Sequence, residues 1–392
     1  MNSYLLREEV IPYEINRQLK DLFPDQHILV TEDSSFDLTG FAQDGRCALW
    51  PMDDLDSLLI TTWAGREKGV IHKPRHASCE ILWNGHTLRC FTITIDFDQY
   101  SFVISPKADL PQRFFEAVCT WSSDADGRIV VFDGRFRRDS DLEKAIKETC
   151  WDTLVLPPEM KDRLFADVTS FFAGKETYAK YGMPWKRGVL LYGAPGNGKT
   201  HAIKALLKAM RKPCLIVRSL HDKNDTEERA IARIFKRARM TAPTVLVLED
   251  IDSLVSKSNL SALLNELDGF ALNEGLLVIA TTNHLNKLDA ALSNRPSRFD
   301  RKYEFKNPDD AERTTFLRSR FDRLDEAMRP SEAVLASTVE ATNGFSGAML
   351  QELVGSSAMA WMNRCQAGAM DQILTGSLKD MAPQRTAPSE AA

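Results

Sequence analysis

The chain has 392 residues, more than one compact domain of ordinary size holds, which predicts two or three domains. Hydrophobic residues make up 43% and charged residues 27%, a balance typical of soluble globular proteins, and the net charge of −5 gives no general attraction for nucleic acid. The seven cysteines are scattered and form no CxxC pair. This argues against a disulfide framework or a zinc site and for a reducing compartment.

The sequence offers no candidate for membrane insertion. No stretch approaches the ~18 consecutive apolar residues that a membrane-spanning helix needs. The N-terminus predicts an amphipathic helix interrupted by Pro12, without the apolar core of a signal peptide. We therefore expect no membrane insertion and a cytoplasmic location.

Residues 1–140 are predicted to form an α+β domain. Five short segments rich in β-branched and aromatic residues predict an antiparallel sheet: CALWPM, LLITTWAG, CEILWNG, LRCFTITIDF and YSFVISP. GRIVVFDGRF predicts one further strand of this domain. Residues 141–182 follow as connector helices, broken by two prolines. Nothing in residues 1–140 resembles a known family, and we expect this domain to bind an unknown protein client.

From residue 183 onward, strands and helices alternate. The strands GVLLYG, CLIVRSL, TVLVLEDID and LLVIATTN are separated by the helices THAIKALLKAM, TEERAIARIFKRARM and LSALLNELDGF. This alternation predicts a parallel sheet covered on both faces, so residues 183–307 are predicted to be an α/β P-loop NTPase core. Residues 308–374 predict a C-terminal helical lid, and residues 375–392, rich in Ala, Pro and Ser, predict a disordered tail.

A phosphate-binding motif lies between the first of these strands and its helix. GAPGNGKT matches G-x-x-x-x-G-K-[ST] in full, and its position after a strand and before a helix disfavours a chance glycine turn. Backbone N–H groups and the helix N-terminus would bind phosphates, Lys199 would reach the β- and γ-phosphates, and Thr200 would hold Mg²⁺. We predict ATP and Mg²⁺ as cofactors, with these binding residues: Gly193, Ala194, Pro195, Gly196, Asn197, Gly198, Lys199, Thr200 and His201.

Two carboxylates follow another apolar strand, in the segment LEDID. Carboxylates at this position hold the water shell of Mg²⁺ and polarise the attacking water. The usual order in such enzymes is Asp then Glu, and here it is Glu249 then Asp250. By register, Glu249 takes the magnesium role through water and Asp250 the role of base. Each side chain differs by one methylene from the usual length. Such a difference can misplace the carboxylates, so slow ATP turnover is an alternative.

Asn283 and two arginines complete the set of candidate catalytic residues. Asn283 ends the strand LLVIATTN, where it could orient the lytic water or serve only as a turn residue. Arg295 and Arg298 flank a proline and could stabilise charge on a transferring phosphate. For either arginine alone, a surface salt bridge is the alternative to a catalytic role.

Residues from about 150 to 365 resemble an AAA ATPase module with two arginines after the fourth strand. The matching pieces are GVLLYGAPGNGKT, VLVLEDIDSL, IATTN, LDAALSNRPSRFD and NGFSGAML. KYGMPWKRGVLLYGAPGNGKT together with the order LEDID resembles the branch that contains the mitochondrial AAA chaperone that translocates folded Rieske protein. The bacterial relatives of that chaperone also carry the Glu-Asp order, which implies that this order can hydrolyse ATP. The resemblance implies an ATP-hydrolysing ring, usually a hexamer, with Arg295 and Arg298 acting in trans. It also implies that Gly347 and Ala348 pack near the nucleotide and that backbone of residues 153–156 lies by the adenine.

Three departures from this pattern limit what the resemblance implies. Ser297 replaces the usual glycine between the arginines, after a one-residue insertion. The segment VRSLHDKNDTEERA has no aromatic-hydrophobic-glycine pore loop, so we do not expect threading of unfolded polypeptide. The sequence has no HExxH motif, which argues against a metalloprotease, and no apolar span before the module, which argues against direct equivalence to the mitochondrial chaperone.

Other candidate sites are weaker. His72 and His76 in HKPRH lack acidic or thiol co-ligands, so we expect no metal site there. The basic helix ERAIARIFKRARM is more typical of a solvated face than of a nucleic-acid contact, which makes nucleic acid an unlikely partner.

The sequence is compatible with two functions. The first is an ATP-driven, chaperone-like machine that remodels a protein client. The second is a nucleotide-dependent scaffold or switch with little turnover, which the Glu-Asp order and the missing pore loop favour. Asn283, Arg295 and Arg298 favour turnover. A phosphotransferase is disfavoured because paired arginines have no evident use in a monomer.

Overall fold

A computed structural model describes residues 10–33, 35–52, 58–63, 70–95, 98–124, 129–221, 226–268, 273–293, 295, 297–364, 366 and 368–381. The chain divides into two compact units, Met1–Ala125 and Asp126–Ala392, which are described separately below. Residues 382–392, most of the predicted disordered tail, lie outside the described residues.

The first unit is an antiparallel sheet with helices on both faces. Its elements are α1 (Val10–Leu22), β1 (His27–Thr31), α2 (Leu38–Gln43), β2 (Ala48–Pro51), β3 (Leu58–Trp63), β4 (Val70–Trp83), β5 (His86–Ile95), β6 (Asp98–Ser105) and α3 (Leu110–Asp124). The strand order is β1-β6-β5-β4-β2, with β3 also paired to β4. Side-chain alternation along β6 directs Val103 to the core under α3, and Phe102 and Ile104 to the core under α1.

Pro12 does not interrupt α1, contrary to the prediction. The described helix runs without a break from Val10 to Leu22, and Pro12 lies in its first described turn. N–H groups in the first turn have no acceptor within the helix, and a proline there loses no hydrogen bond.

The second unit contains a seven-stranded sheet with helices on both faces. Its elements are β7 (Ile129–Asp133), β8 (Phe136–Arg138), α4 (Ser140–Glu148), α5 (Pro158–Ala173), α6 (Lys175–Lys180), β9 (Lys186–Tyr192), α7 (Lys199–Met210), β10 (Cys214–Ser219), α8 (Glu227–Met240), β11 (Thr244–Leu248), α9 (Ile251–Leu254), α10 (Leu260–Asp268), β12 (Leu276–Thr282), α11 (Ala290–Ser293) and β13 (Arg301–Glu304). The strand order is β13-β9-β12-β11-β10-β7-β8, and only β8 is antiparallel to its neighbour. α5 and α7 cover one face, and α8 and α10 the other. This is the α/β P-loop arrangement that the sequence predicts.

The predicted boundary at residue 140 is wrong, because β7 belongs to the second unit. β7 pairs in parallel with β10, and Ile129 and Val131 enter the core that α5 and α7 cover. A short apolar strand does not reveal from its own sequence which sheet it joins. The predicted connector is likewise part of the second unit, since Leu142 of α4 and Leu164 of α5 are buried in that core.

Four further helices pack around a core of their own: α12 (Asp310–Phe321), α13 (Glu332–Ala341), α14 (Gly347–Arg364) and α15 (Met370–Met381). α15 continues past residue 375, where the sequence predicts disorder. Met370, Leu374 and Met381 are buried in this helical core, which explains why residues 375–381 are ordered. Among the described residues, no helix has both the length and the apolar character needed to cross a bilayer.

Candidate nucleotide-binding site

The phosphate-binding motif forms a tight loop between β9 and α7. Gly193, Gly196 and Gly198 have φ angles of 135°, 82° and 90°, a region that favours glycine. A Cβ atom added at Gly193 would lie 2.2 Å from the Phe305 carbonyl oxygen, so the loop also lies against the chain that leaves β13. The loop leads directly into a 12-residue helix, whose first N–H groups are available to an anion.

Lys199 places a buried cation inside this loop. Its side chain donates hydrogen bonds to the carbonyl oxygens of Gly193 (2.6 Å) and Ala194 (3.0 Å), and the residue is only 7% exposed. Burial lowers the pKa of Lys199, and the nearby Asp250 and Asp252 oppose that shift. A cationic amine beside free helix N–H groups suits a polyphosphate, so the residues present fit the triphosphate of ATP.

Asn197 has a structural role that the sequence does not reveal. Its amide donates to the Phe305 carbonyl (3.3 Å) and to Asn307 Oδ1 (2.8 Å), and its Oδ1 accepts from the Gly347 N–H (3.1 Å). The side chain therefore connects the phosphate loop to the edge of the sheet and to the helical bundle. Only the backbone of Asn197 remains for phosphate.

Gly347 and Ala348 lie on the phosphate loop, at the start of α14. The Ala348 N–H donates to the Gly196 carbonyl oxygen at 2.9 Å. A Cβ atom at Gly347 would lie 3.1 Å from that same oxygen, so a larger residue would push the two segments apart. The structure thus brings Gly347 and Ala348 to the phosphate loop.

His201 faces the segment that precedes α5. Its Nε2 lies 3.1 Å from both Thr153 Oγ1 and the Cys150 carbonyl oxygen. The Leu154 side chain also reaches the loop, 2.9 Å from where a Cβ of Gly198 would stand. Residues 150–154 therefore line one side of the phosphate loop. Two of them, Thr153 and Leu154, belong to the segment 153–156 that the resemblance predicts beside the adenine. His201 contacts residues 150–154 through its imidazole ring. Pro195 and Thr200 are exposed on the loop.

Asp250 and Asn283 come together at the carboxyl end of the sheet. The Asn283 side-chain amide donates to Asp250 Oδ1 at 3.2 Å, and the Asp250 N–H donates to Thr281 Oγ1 at 2.8 Å. Asp250 has a φ of 48°, which is uncommon for a residue other than glycine. Backbone strain of this kind costs about 1–3 kcal/mol and concentrates at functional sites.

Glu249 has different neighbours from Asp250. Val245 and Val247 pack in the core under α7, so alternation along β11 directs Glu249 to the α7 face. There it is half-buried, with Arg218 Nε 3.8 Å from its carboxylate. Burial raises the pKa of Glu249, and Arg218 opposes this. In this structure Lys199 therefore interacts with Asp250, while Glu249 is paired with an arginine.

The sequence assigns no role to three polar residues at this edge: Arg218, Asp139 and Asp252. Arg218 is the penultimate residue of β10 and also pairs with Asp139 at 3.3 Å, and Asp252 accepts a 2.7 Å hydrogen bond from Thr282. A cavity of about 450 Å³ opens here and is lined in part by Arg218, Glu249 and Asp250. The charge of Arg218 directly after the apolar run CLIV was a signal available in the sequence.

The two candidate arginines differ sharply in accessibility. Arg298 is 6% exposed and donates from Nε (2.9 Å) and Nη2 (2.6 Å) to Asp268, and from Nη1 to the Ala291 carbonyl. Ser297 also donates to Asp268, at 3.1 Å. The Arg295 side chain is 66% exposed, 3.7 Å from Asp268. In this structure Arg298 is therefore held by its own chain, whereas Arg295 extends into solvent, and action of either arginine in trans stays a prediction.

Gly188→Ala is expected to destabilise the arginine loop. A Cβ atom at Gly188 on β9 would lie 1.7 Å from the Arg298 carbonyl oxygen, which is backbone and cannot move freely. We expect a loss of at least 1–3 kcal/mol of folding free energy, measured by thermal or denaturant unfolding. Gly376→Ala is the matched control, because a Cβ there meets nothing within 4 Å and alanine favours α15. Equal stability of both variants would contradict the close approach.

Comparisons with known proteins agree with this geometry. Residues 189–307 match the model of the AAA family, the ATPase family associated with various cellular activities. The chain is 32% identical over 216 residues to the ATP-dependent zinc metalloprotease FtsH of Ureaplasma parvum, covering 51% of this chain and 29% of that protein. It is 31% identical over 245 residues to FtsH of Syntrophus aciditrophicus, covering 58% and 32%. It is 32% identical over 223 residues to the ATPase family gene 2 protein of Saccharomyces cerevisiae, covering 54% and 28%.

These matches cover only part of each relative. The chain spans about a third of the length of each relative named above. The matched region carries an AAA ATPase domain, and the comparisons support ATP hydrolysis by it. The zinc metalloprotease activity named for the FtsH proteins is a property of those proteins. Among the described residues, no group of three or more His, Cys, Asp or Glu side chains could hold a metal ion. The side chain of His72 lies outside the described part of the structure.

Proposed function

We propose that this chain is an ATP-hydrolysing AAA ATPase whose subunits form a ring, most simply a hexamer, and that the ring remodels a protein client. The observation that carries the proposal is the convergence of three separate motifs at one edge of the sheet. Lys199 of the phosphate loop has Asp250 as its first electrostatic partner, and Asn283 donates to that same carboxylate. This is the arrangement that phosphoryl transfer to water requires.

Each residue has a distinct role in this proposal. The loop N–H groups and Lys199 bind the phosphates, and the exposed Thr200 hydroxyl supplies an oxygen for Mg²⁺. Asp250 accepts the proton of the attacking water, and Asn283 orients the carboxylate. Glu249 would hold the water shell of Mg²⁺. ATP supplies the phosphoanhydride bond, and Mg²⁺ neutralises phosphate charge.

Arg295 is the arginine that we assign to the neighbouring subunit's site. Its side chain extends into solvent, whereas Arg298 is enclosed by Asp268 and Ala291. Arg298 is a positioning residue in this account, because it fixes the loop from which Arg295 projects. Asp268 contacts both arginines and Ser297, so it is the anchor of that loop.

Mixing two inactive variants tests whether a site is shared between subunits. Arg295→Ala and Asp250→Asn should each lose turnover alone, and their mixture should regain part of it, because some interfaces then pair an intact arginine with an intact base. Arg318→Ala is the control, since Arg318 is exposed and paired with Glu332 in the helical bundle. We expect it to keep full activity. No recovery at any mixing ratio would rule out a shared site.

The proposal extends to the client and to the cellular location of the protein. We assign client binding to the first unit, because the second carries the nucleotide site. A net charge of −5 favours a protein client over nucleic acid. The Glu-Asp order supports kinship with the bacterial relatives of the Rieske-translocating chaperone, and a cytoplasmic location agrees with the cysteine usage. Residues 222–225 of the segment without a pore-loop motif lie outside the described residues.

A nucleotide-dependent scaffold with little turnover is the second candidate. One observation favours it: Glu249 is engaged by Arg218, which in turn is held by Asp139. If these ion pairs persist when ATP binds, the magnesium site is incomplete and hydrolysis is slow. ATP binding without measurable turnover would select this candidate.

A further inference from the structure

Four of the seven cysteines surround one apolar core of the first unit: Cys47, Cys79, Cys90 and Cys119. Two of them, Cys79 on β4 and Cys90 on β5, are direct partners in the antiparallel register. Cα atoms of directly opposite residues are about 4.5–5.5 Å apart, which falls within the range of about 4.4–6.8 Å found for disulfides. The two sulfurs can therefore bond without a change in strand register.

The two thiols are hydrogen-bonded to each other but are not equivalent. Cys90 is 1% exposed, and Cys79 is only partly buried. Their hydrogen bond lowers the pKa of Cys79 and raises the pKa of Cys90. Cys90 Sγ also lies 3.7 Å from Thr92 Oγ1, which lies 3.3 Å from Ser101 Oγ. Cys79 is therefore the sulfur that a dissolved oxidant reaches first, and Cys90 is the buried partner beside it.

We propose that Cys79 and Cys90 form a reversible oxidation site, at which hydrogen peroxide produces a disulfide between β4 and β5. The Cys79 thiolate attacks one peroxide oxygen, the O–O bond breaks, and hydroxide leaves and is protonated to water. Cys79 is then a sulfenic acid. The Cys90 sulfur attacks the Cys79 sulfur, the S–O bond breaks, and a second water leaves with the Cys90 proton. The two sulfurs lose two electrons, and the peroxide gains them.

The neighbouring cysteines are less suited to this reaction. Burial raises the pKa of Cys47 to about 11, so its thiol stays protonated at neutral pH. Cys119 lies on α3, and Cys47 precedes β2, so neither is a cross-strand partner of Cys79. β4 and β5 lie in the middle of the strand order, so the bond would cross-link the interior of the sheet. The cysteine pair belongs to the first unit, whereas the nucleotide site belongs to the second.

Hydrogen peroxide treatment of the full chain tests the site directly. Thiols are then blocked by alkylation and the cysteine peptides are mapped by mass spectrometry. We expect the number of free thiols to fall by two from seven, with Cys79 linked to Cys90, and dithiothreitol to restore both. Free Cys79 and Cys90 at peroxide doses that oxidise another cysteine would overturn the proposal, as would a bond from Cys79 to Cys47.

Serine variants distinguish the sulfur that reacts with peroxide, Cys79, from the sulfur that then forms the disulfide, Cys90. In Cys90→Ser the sulfenic acid of Cys79 has no thiol with which to form a disulfide. Dimedone should therefore form an adduct at Cys79 in this variant, and no such adduct should form in the unsubstituted chain. In Cys79→Ser, Cys90 should stay a thiol under the same dose. Cys47→Ser is the matched control and should form the disulfide as before. Thermal melting of each variant confirms folding. A dimedone adduct at Cys90 rather than Cys79 would contradict the assignment of the nucleophile.

Discussion

Lys199→Ala is expected to weaken ATP binding about 10²- to 10³-fold. The amine is 7% exposed and lies within the glycine-rich loop, at the N-terminus of α7. Removing one partner of a buried charge pair costs about 3–5 kcal/mol, which corresponds to this loss of affinity. Fluorescence titration with a labelled ATP analogue measures the change directly.

Lys208→Ala is the control for this experiment. Lys208 lies on the same helix, but its exposed side chain donates to the Thr149 carbonyl oxygen at 2.7 Å, away from the loop. We expect its affinity for ATP to stay within about threefold of the unsubstituted chain, which is less than 1 kcal/mol. Unchanged affinity in Lys199→Ala, with the fold intact, would overturn the assignment of the phosphate loop.

Asp250→Asn is expected to retain ATP binding and to lose about 10²- to 10⁴-fold in turnover. The substitution removes a carboxylate that acts as general base, and that magnitude is typical for such a group. Asparagine keeps the size of the side chain and tolerates the left-handed backbone found at this residue. Single-turnover hydrolysis at saturating ATP separates this effect from any change in binding.

Glu249→Gln is the matched comparison for Asp250→Asn. The amide keeps the length of the side chain but cannot hold the Mg²⁺ water shell as a carboxylate does. We expect a higher requirement for Mg²⁺, with activity partly restored when the Mg²⁺ concentration is raised. If Glu249→Gln abolished turnover at every Mg²⁺ concentration while Asp250→Asn did not, the two roles would be reversed.

The sequence predicts well those features that depend on local pattern. The phosphate loop needs glycine at positions of positive φ and a lysine at the helix start, and both requirements are visible in GAPGNGKT. The parallel sheet is predictable for a similar reason, because alternating apolar strands and amphipathic helices have few other ways to bury their surfaces. The position of Asn283 beside Asp250 follows from adjacent strands ending at one edge.

Contacts between distant side chains are not predictable in this way. Nothing near Arg298 in sequence shows that Asp268, on α10, holds it, or that Asn197 bonds to Asn307 and Gly347. The placement of β7 was missed for the same reason, since its partner β10 begins about 80 residues later. These contacts depend on tertiary packing, and they change the assigned roles of Arg298 and Asn197.

The most direct test of a ring-forming ATPase is the steady-state hydrolysis rate per subunit as a function of protein concentration. We expect this specific rate to rise cooperatively, because each active site is completed by Arg295 of a neighbouring subunit, and to be lost in Asp250→Asn. A specific rate that stays constant at all concentrations and is insensitive to Arg295→Ala would contradict the account, because the site would then be complete within one chain.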